Sequence, residues 1–158
     1  MVDSGSLLGI RETRRIIGDY VLSIDDYQKR AVFPDEIGRY AYPIDIHPSE
    51  TDEASYKKHR EEFDKLYRYS KGESYGVPYR ILTPLKFDNL LVAGRCVSMD
   101  HLVQASLRVM PGCFITGQAT GVAAGMVCRT DQSVHSVVVS ELQTQLKELG
   151  AFLPNFRS

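Results

Sequence analysis

NLLVAGRCVSMDHLVQASLRVMPGCFITGQATGVAAGMVCR, residues 89–129, is the stretch on which the reading of this chain turns. An apolar run from Leu90 to Ala93 stops at Gly94-Arg95. A polar crossing then leads to Arg108 and Pro111-Gly112, and a Gly- and Ala-rich segment extends from Cys113 to Val127. This order predicts a buried strand, a glycine turn, a connecting segment and a tightly packed helix opened by Pro111. Proline suits a first helical turn because the N–H it lacks has no partner within the helix. The N–H groups that remain, with the positive end of the helix dipole, favour an anionic or electron-rich group there. Gly117, Gly121 and Gly125 recur every four residues on one face, beside Ala124. A helical glycine costs about 1 kcal/mol relative to alanine, so the spacing predicts close approach of another backbone or a flat ligand.

Upstream, YGVPYRILT (residues 75–83) reads as an extended segment with Pro78 at an edge or turn. It passes through Pro84 and a turn at Asp88-Asn89 into the apolar run. Residues 49–72 are the most polar part. Glu53 with Lys57 and Glu61 with Lys65 are i,i+4 pairs that support a solvated helix or linker, with His59 exposed. Residues 42–47, YPIDIH, alternate and read as a strand bounded by Pro43 and Pro48. Asp45 and His47 share one face of it, as a proton-transfer pair or a hydrogen-bonded polar face. Ser23 caps an expected helix through Ala31, with Asp25 and Asp26 in its first turn, and residues 35–40 read as a second helical turn. Residues 13–17 and 20–22 read as strands broken at Gly18-Asp19. Arg11, Arg14 and Arg15 there either clamp a carboxylate or phosphate or form a solvated strand edge with Glu12 and Asp19. Residues 1–8 read as a leader. Downstream, a helix is expected from Ser140-Glu141, with Leu142, Leu146 and Leu149 on one face and Gly150 as its stop. The tail AFLPNFRS is apolar enough to pack.

The 158 residues carry 43% apolar side chains and a formal charge of −1. That composition predicts a globular domain and gives no electrostatic case for nucleic acid or an anionic membrane. No run of eighteen apolar residues occurs. The start, MVDSGSLLGI, lacks a basic segment and a long apolar core, so a cytoplasmic protein without a signal peptide is expected. Cys96, Cys113 and Cys128 are spaced by seventeen and fifteen residues with no C-x-x-C, so no metal or iron–sulfur site is expected. Cys113, at the expected helix N-terminus, is either a stabilised thiolate or a small apolar filler.

Several blocks in order resemble FAD-dependent oxidoreductases of the glutathione-reductase type, and more narrowly the family related to the flavin subunit of heterodisulfide reductase. They are Gly9-Ile10-Arg11-Glu12-Thr13-Arg14-Arg15, Tyr42-Pro43-Ile44-Asp45-Ile46-His47, Pro78-Tyr79-Arg80 and Asn89 to Arg95. Ser98, His101, Arg108-Val109-Met110-Pro111, Gly117-Gln118-Ala119, Gly121 and Ala123-Ala124 follow. The resemblance implies an α/β (α+β) fold: part of an FAD/NAD(P)-binding two-domain architecture. Residues 9–83 would be substrate-side and residues 84–158 the C-terminal part of the FAD domain. It implies FAD as cofactor, contacted by Gly94, Arg95, Ser98, Pro111, Gly112, Gly117 and Gln118. His101 and Arg108 would lie near a small-molecule substrate, the histidine as proton donor or acceptor.

The family's N-terminal G-x-G-x-x-G turn, which binds the ADP half of FAD, does not occur in these residues. The chain therefore reads as a C-terminal portion of such an enzyme. Two expectations stand beside that one. In the first, the chain is a non-enzymatic interaction module whose glycine face packs on a partner. In the second, it completes a flavin site with a Rossmann-bearing N-terminal half, or assembles as a homo-oligomer.

Overall fold

The computed structural model describes residues 6, 9–46, 57, 61, 63, 67–130 and 132–156. Among them the architecture is mixed α/β: helices packed around one small antiparallel sheet. Helix α1 (Ile24–Gln28) begins as expected. Ser23 Oγ accepts from the Asp26 N–H at 3.3 Å, and the Asp26 carboxylate accepts from the Ser23 N–H at 2.9 Å. The helix stops at Gln28, short of Ala31, and Arg30 takes a left-handed φ of 52°.

Residues 35–40, expected as a helical turn, instead lead into a strand at Glu36. Strand β1 (Glu36–Tyr40) pairs antiparallel with β2 (Tyr75–Pro78), in the register Tyr40↔Tyr75, Arg39↔Gly76, Gly38↔Val77. Their side chains are nearly all buried, and that tertiary burial overrides the polar look of the segment. A Cβ at Gly38 would lie 2.8 Å from Ile115 Cγ2, so glycine is what lets the long helix approach the sheet. Beyond Pro78 the expected extended segment tightens into a 3-10 turn, Tyr79–Ile81.

The strands expected over residues 13–17 and 20–22 do not form. Backbone bonds from this segment split between two partners. Ile16 and Leu22 donate to Cys96 and Ser98, whereas Asp19 and Tyr20 donate to Thr83 and Arg80. No continuous ladder follows, only bridges at Gly18–Pro84 and Leu22–Met99. The segment at 90–93 is likewise not a buried strand. Leu90 is exposed, its three neighbours are half-buried, and Val92 donates to Leu82. Residues 42–46 form no strand either: the Asp45 N–H is taken by Ala105 of a helix. His47, His59, most of the polar stretch and most of the expected leader lie outside the described residues.

Helix α2 (His101–Leu107) is capped by Asp100, whose carboxylate accepts from the Val103 N–H at 2.8 Å. Helix α3 (Met110–Thr130) follows after Arg108 and Val109, with Pro111 in its first turn. Helix α4 (Val139–Glu148) closes the chain, stopped at Gly150, whose φ is 89°. Leu142 and Leu146 are fully buried, but Leu149 is 60% exposed because the helix ends before that position returns to the core. One hydrophobic core joins Leu22, Tyr27, Tyr75, Ile81, Leu107 and Leu146, with Leu153 of the tail on its edge. Among the described residues no helix is long and apolar enough to cross a membrane.

Candidate functional site

The break between α2 and α3 makes the site. Gly112 is buried, and a Cβ on it would fall 2.2 Å from the Leu107 carbonyl oxygen. Only glycine lets α3 start so close to the end of α2. Arg108, the C-cap of α2, is thereby held beside the N-terminus of α3. Its side chain is 12% exposed, and its guanidinium donates to the Asp45 carbonyl at 2.8 Å.

Two further arginines reach the same place. Gln104, buried in α2, donates from its amide to the Arg11 carbonyl at 2.9 Å, which fixes residue 11 along that helix. The Arg95 guanidinium donates to the neighbouring Ile10 carbonyl at 3.1 Å. Arg95 follows Gly94, whose φ of 74° makes the glycine turn and whose N–H donates to Thr116 Oγ1 of α3 at 3.0 Å.

Arg11, Arg95 and Arg108 thus line one open groove of about 490 Å³ with Asp45, Tyr42 and the Val109–Met110–Pro111 junction. The volume lies in the range of small-molecule sites. Burial, then the neighbouring charge of Arg11, lower the Arg108 pKa, and Asp45 opposes them. An anion entering the groove would relieve that positive crowding.

An adjoining recess of about 210 Å³ holds His101 with Glu12, Gln104 and Arg108. His101 Nδ1 lies 2.7 Å from Glu12 Oε2, and Arg15 pairs with the other carboxylate oxygen. Arg15 is thus occupied inside the chain, Arg14 is exposed, and Arg11 is the arginine of that block that reaches the groove.

The remaining residues named from the sequence go elsewhere. Ser98 is fully buried, and its Oγ accepts the Gly18 N–H at 3.0 Å, so its hydroxyl faces the N-terminal segment and not the groove. Gly112 serves the α2–α3 junction. Gly117 and Gln118 are exposed one to two turns along α3. Among the described residues nothing of this chain lies within 4 Å of a Cβ built at Gly117, Gly121 or Gly125, so the glycine face is left open within the chain. Met110 and Phe114, 69% and 64% exposed, extend this face towards the groove. Cys113 is no stabilised thiolate. Burial raises its thiol pKa, and its Sγ donates to the Arg108 carbonyl.

One cluster escaped the sequence reading. His135 Nδ1 lies 2.6 Å from Asp19 Oδ2, and its Nε2 lies 3.2 Å from the Phe87 carbonyl. Thr83 donates to the same Asp19 oxygen at 2.8 Å. The residues come from distant parts of the chain with no local pattern to announce them. Among the described residues no three His, Cys, Asp or Glu side chains are grouped to hold a metal ion.

The family described as FAD dependent oxidoreductase matches residues 1–146. No curated protein and no solved structure matches the chain. With most of its length matched, this chain belongs to the FAD dependent oxidoreductase family.

Proposed function

We propose that the chain forms the flavin- and substrate-facing part of an FAD-dependent oxidoreductase that moves a hydride between an organic substrate and the cofactor. The observation that carries this reading is the meeting of Arg95, Arg108 and the α3 N-terminus at one groove. Guanidinium donors and a helix N-terminus are the chemistry that an electron-rich ring or a phosphate requires, so the residues present fit the flavin end of FAD. When bound, the cofactor supplies the redox chemistry. Arg95 and the first turn of α3 stabilise negative charge on it, and Arg108 with Arg11 orients the substrate. His101, held by Glu12, takes or gives the proton.

The described residues contain no strand–glycine turn–helix unit for the ADP half, and the sequence has no G-x-G-x-x-G. We therefore assign that half to a Rossmann-bearing unit outside these residues. The exposed face of Met110, Phe114, Gly117 and Gly121 leaves room for another layer to pack there. Exposed apolar faces of this kind accompany association.

The test is an absorbance spectrum of the purified chain followed by FAD titration read by flavin fluorescence quenching. It is done with and without a co-expressed Rossmann-bearing N-terminal half of a family member. Saturable quenching that weakens at least tenfold in Arg95→Ala supports the reading. No quenching in either preparation removes it and leaves an interaction module that packs on a partner without binding FAD.

A further inference from the structure

We infer that the groove takes an organic carboxylate, with its carboxylate group between Arg11 and Arg108 and its carbon body against Tyr42 and the Val109–Met110–Pro111 junction. That this ligand is the substrate rests on the oxidoreductase reading; the binding itself does not.

The first argument is charge. Among the described residues the groove is lined by three guanidinium groups and by the carboxylate of Asp45. Asp45 Oδ2 stands 3.9 Å from Arg11 and 3.8 Å from Arg108, at ion-pair distance from both but beyond hydrogen-bond length. Arg108 spends one N–H on the Asp45 carbonyl, and a guanidinium carries five N–H donors in a planar fork. Both arginines therefore retain donors suited to a two-oxygen anion.

The second argument is position. Arg108 is held by its own bond to the backbone of residue 45, and the Arg11 backbone is held by Gln104. The Arg108 arm is thus ordered in advance and the Arg11 backbone is tied to α2, which lowers the cost of ordering the clamp around a ligand. The third argument is the rest of the lining. Val109, Met110, Pro111 and the Tyr42 ring offer apolar and aromatic surface, which a bare inorganic anion would leave unused. A ligand with a carboxylate head and a carbon body uses both kinds of surface.

The experiment titrates the full chain with succinate, with its neutral diamide succinamide, and with inorganic phosphate. Binding is followed by the guanidinium Nε–H resonances of Arg11 and Arg108. Expected is saturable binding of succinate that moves both resonances, with succinamide and phosphate at least tenfold weaker. Arg108→Lys, which keeps the charge but loses the fork, weakens succinate at least tenfold. Arg11→Gln, at a side chain that is half exposed, does the same, with the folded state of the variant checked by its melt. Phosphate binding as tightly as succinate, succinamide equalling succinate, or succinate leaving both resonances unmoved would each overturn the inference. FAD titrated in parallel separates the two readings. FAD bound with succinate ignored sinks the carboxylate site alone, while succinate bound with FAD ignored upholds it and removes the cofactor reading.

Discussion

The Arg108 guanidinium donates to the main-chain oxygen of Asp45 at 2.8 Å, tying the end of α2 to a segment 63 residues earlier. Because the acceptor is backbone, no substitution at position 45 removes it. Arg108→Ala should therefore cost stability as well as ligand binding. A hydrogen bond from a charged donor contributes roughly 1.5–3 kcal/mol, and that is the loss expected in urea unfolding. Arg108→Met, which keeps the packing of the stem, isolates the polar part. An Arg108→Ala variant as stable as the parent chain would mean that the bond is worth nothing to the fold.

The glycines of α3 divide into two kinds, and substitution should separate them. A Cβ at Gly112 meets the Leu107 carbonyl at 2.2 Å, whereas one at Gly117 meets open space. Gly112→Ala must push α2 and α3 apart, at a cost of about 1–3 kcal/mol or more. Gly117→Ala gains helix propensity and should stabilise by roughly 0.5–1 kcal/mol. Thermal and denaturant melts of the two variants check this; equal destabilisation by both would show that the Gly117 face is already covered in solution.

That contrast explains what the sequence could and could not convey. The four-residue glycine spacing announced a small-residue face, but not whether anything sits on it. Gly112 drew attention beside Pro111 and as a cofactor contact, yet within α3 it is the glycine that the packing demands. The arginine blocks were legible because each is local. Their meeting was not, since Arg11 reaches the groove through Gln104, 93 residues away. The segment at 90–93 shows the reverse failure. Its apolar run satisfies every local rule for a buried strand, but a strand also needs a neighbour, and its residues pair with none of the described strands. Residues 35–40, read as a helical turn, misled for a third reason: Glu36 and Arg39 are charged, yet they are 2% and 7% exposed in a strand and paired with each other.

That buried pair should behave as a unit. Arg39 Nη1 lies 2.6 Å from Glu36 Oε1, and burial raises the Glu36 pKa even with the arginine beside it. Glu36→Gln leaves an uncompensated buried guanidinium, and roughly 3–5 kcal/mol of stability should be lost. Glu36→Gln with Arg39→Met removes both charges and should recover most of it. A double variant as damaged as the sum of its single changes would mean that the two residues act independently, which a double-mutant cycle reads directly.

His135 should make stability depend on pH. Both ring nitrogens face acceptors, Asp19 Oδ2 and the Phe87 carbonyl, so the imidazolium is the form that satisfies both. The hydrogen bond to Asp19 raises its pKa above 6.5, with Asp88 adding to the same field. A base whose folded pKa exceeds its unfolded value binds its proton more tightly in the native state. Its contribution is complete below the unfolded pKa of about 6.5 and is lost as pH rises through the folded value. Denaturant unfolding between pH 5 and 9 should therefore show stability falling across that upper window in the parent chain. His135→Gln, which cannot charge, should flatten the profile while lowering stability most at the acid end. The tie anchors the 3-10 turn Val134–Ser136, where Tyr79 also donates to the Val134 carbonyl at 2.8 Å. Amide exchange in that turn should accelerate in step with deprotonation. A profile unchanged by His135→Gln would assign any pH dependence to another group and reduce the Asp19–His135 contact to a surface pair without thermodynamic weight.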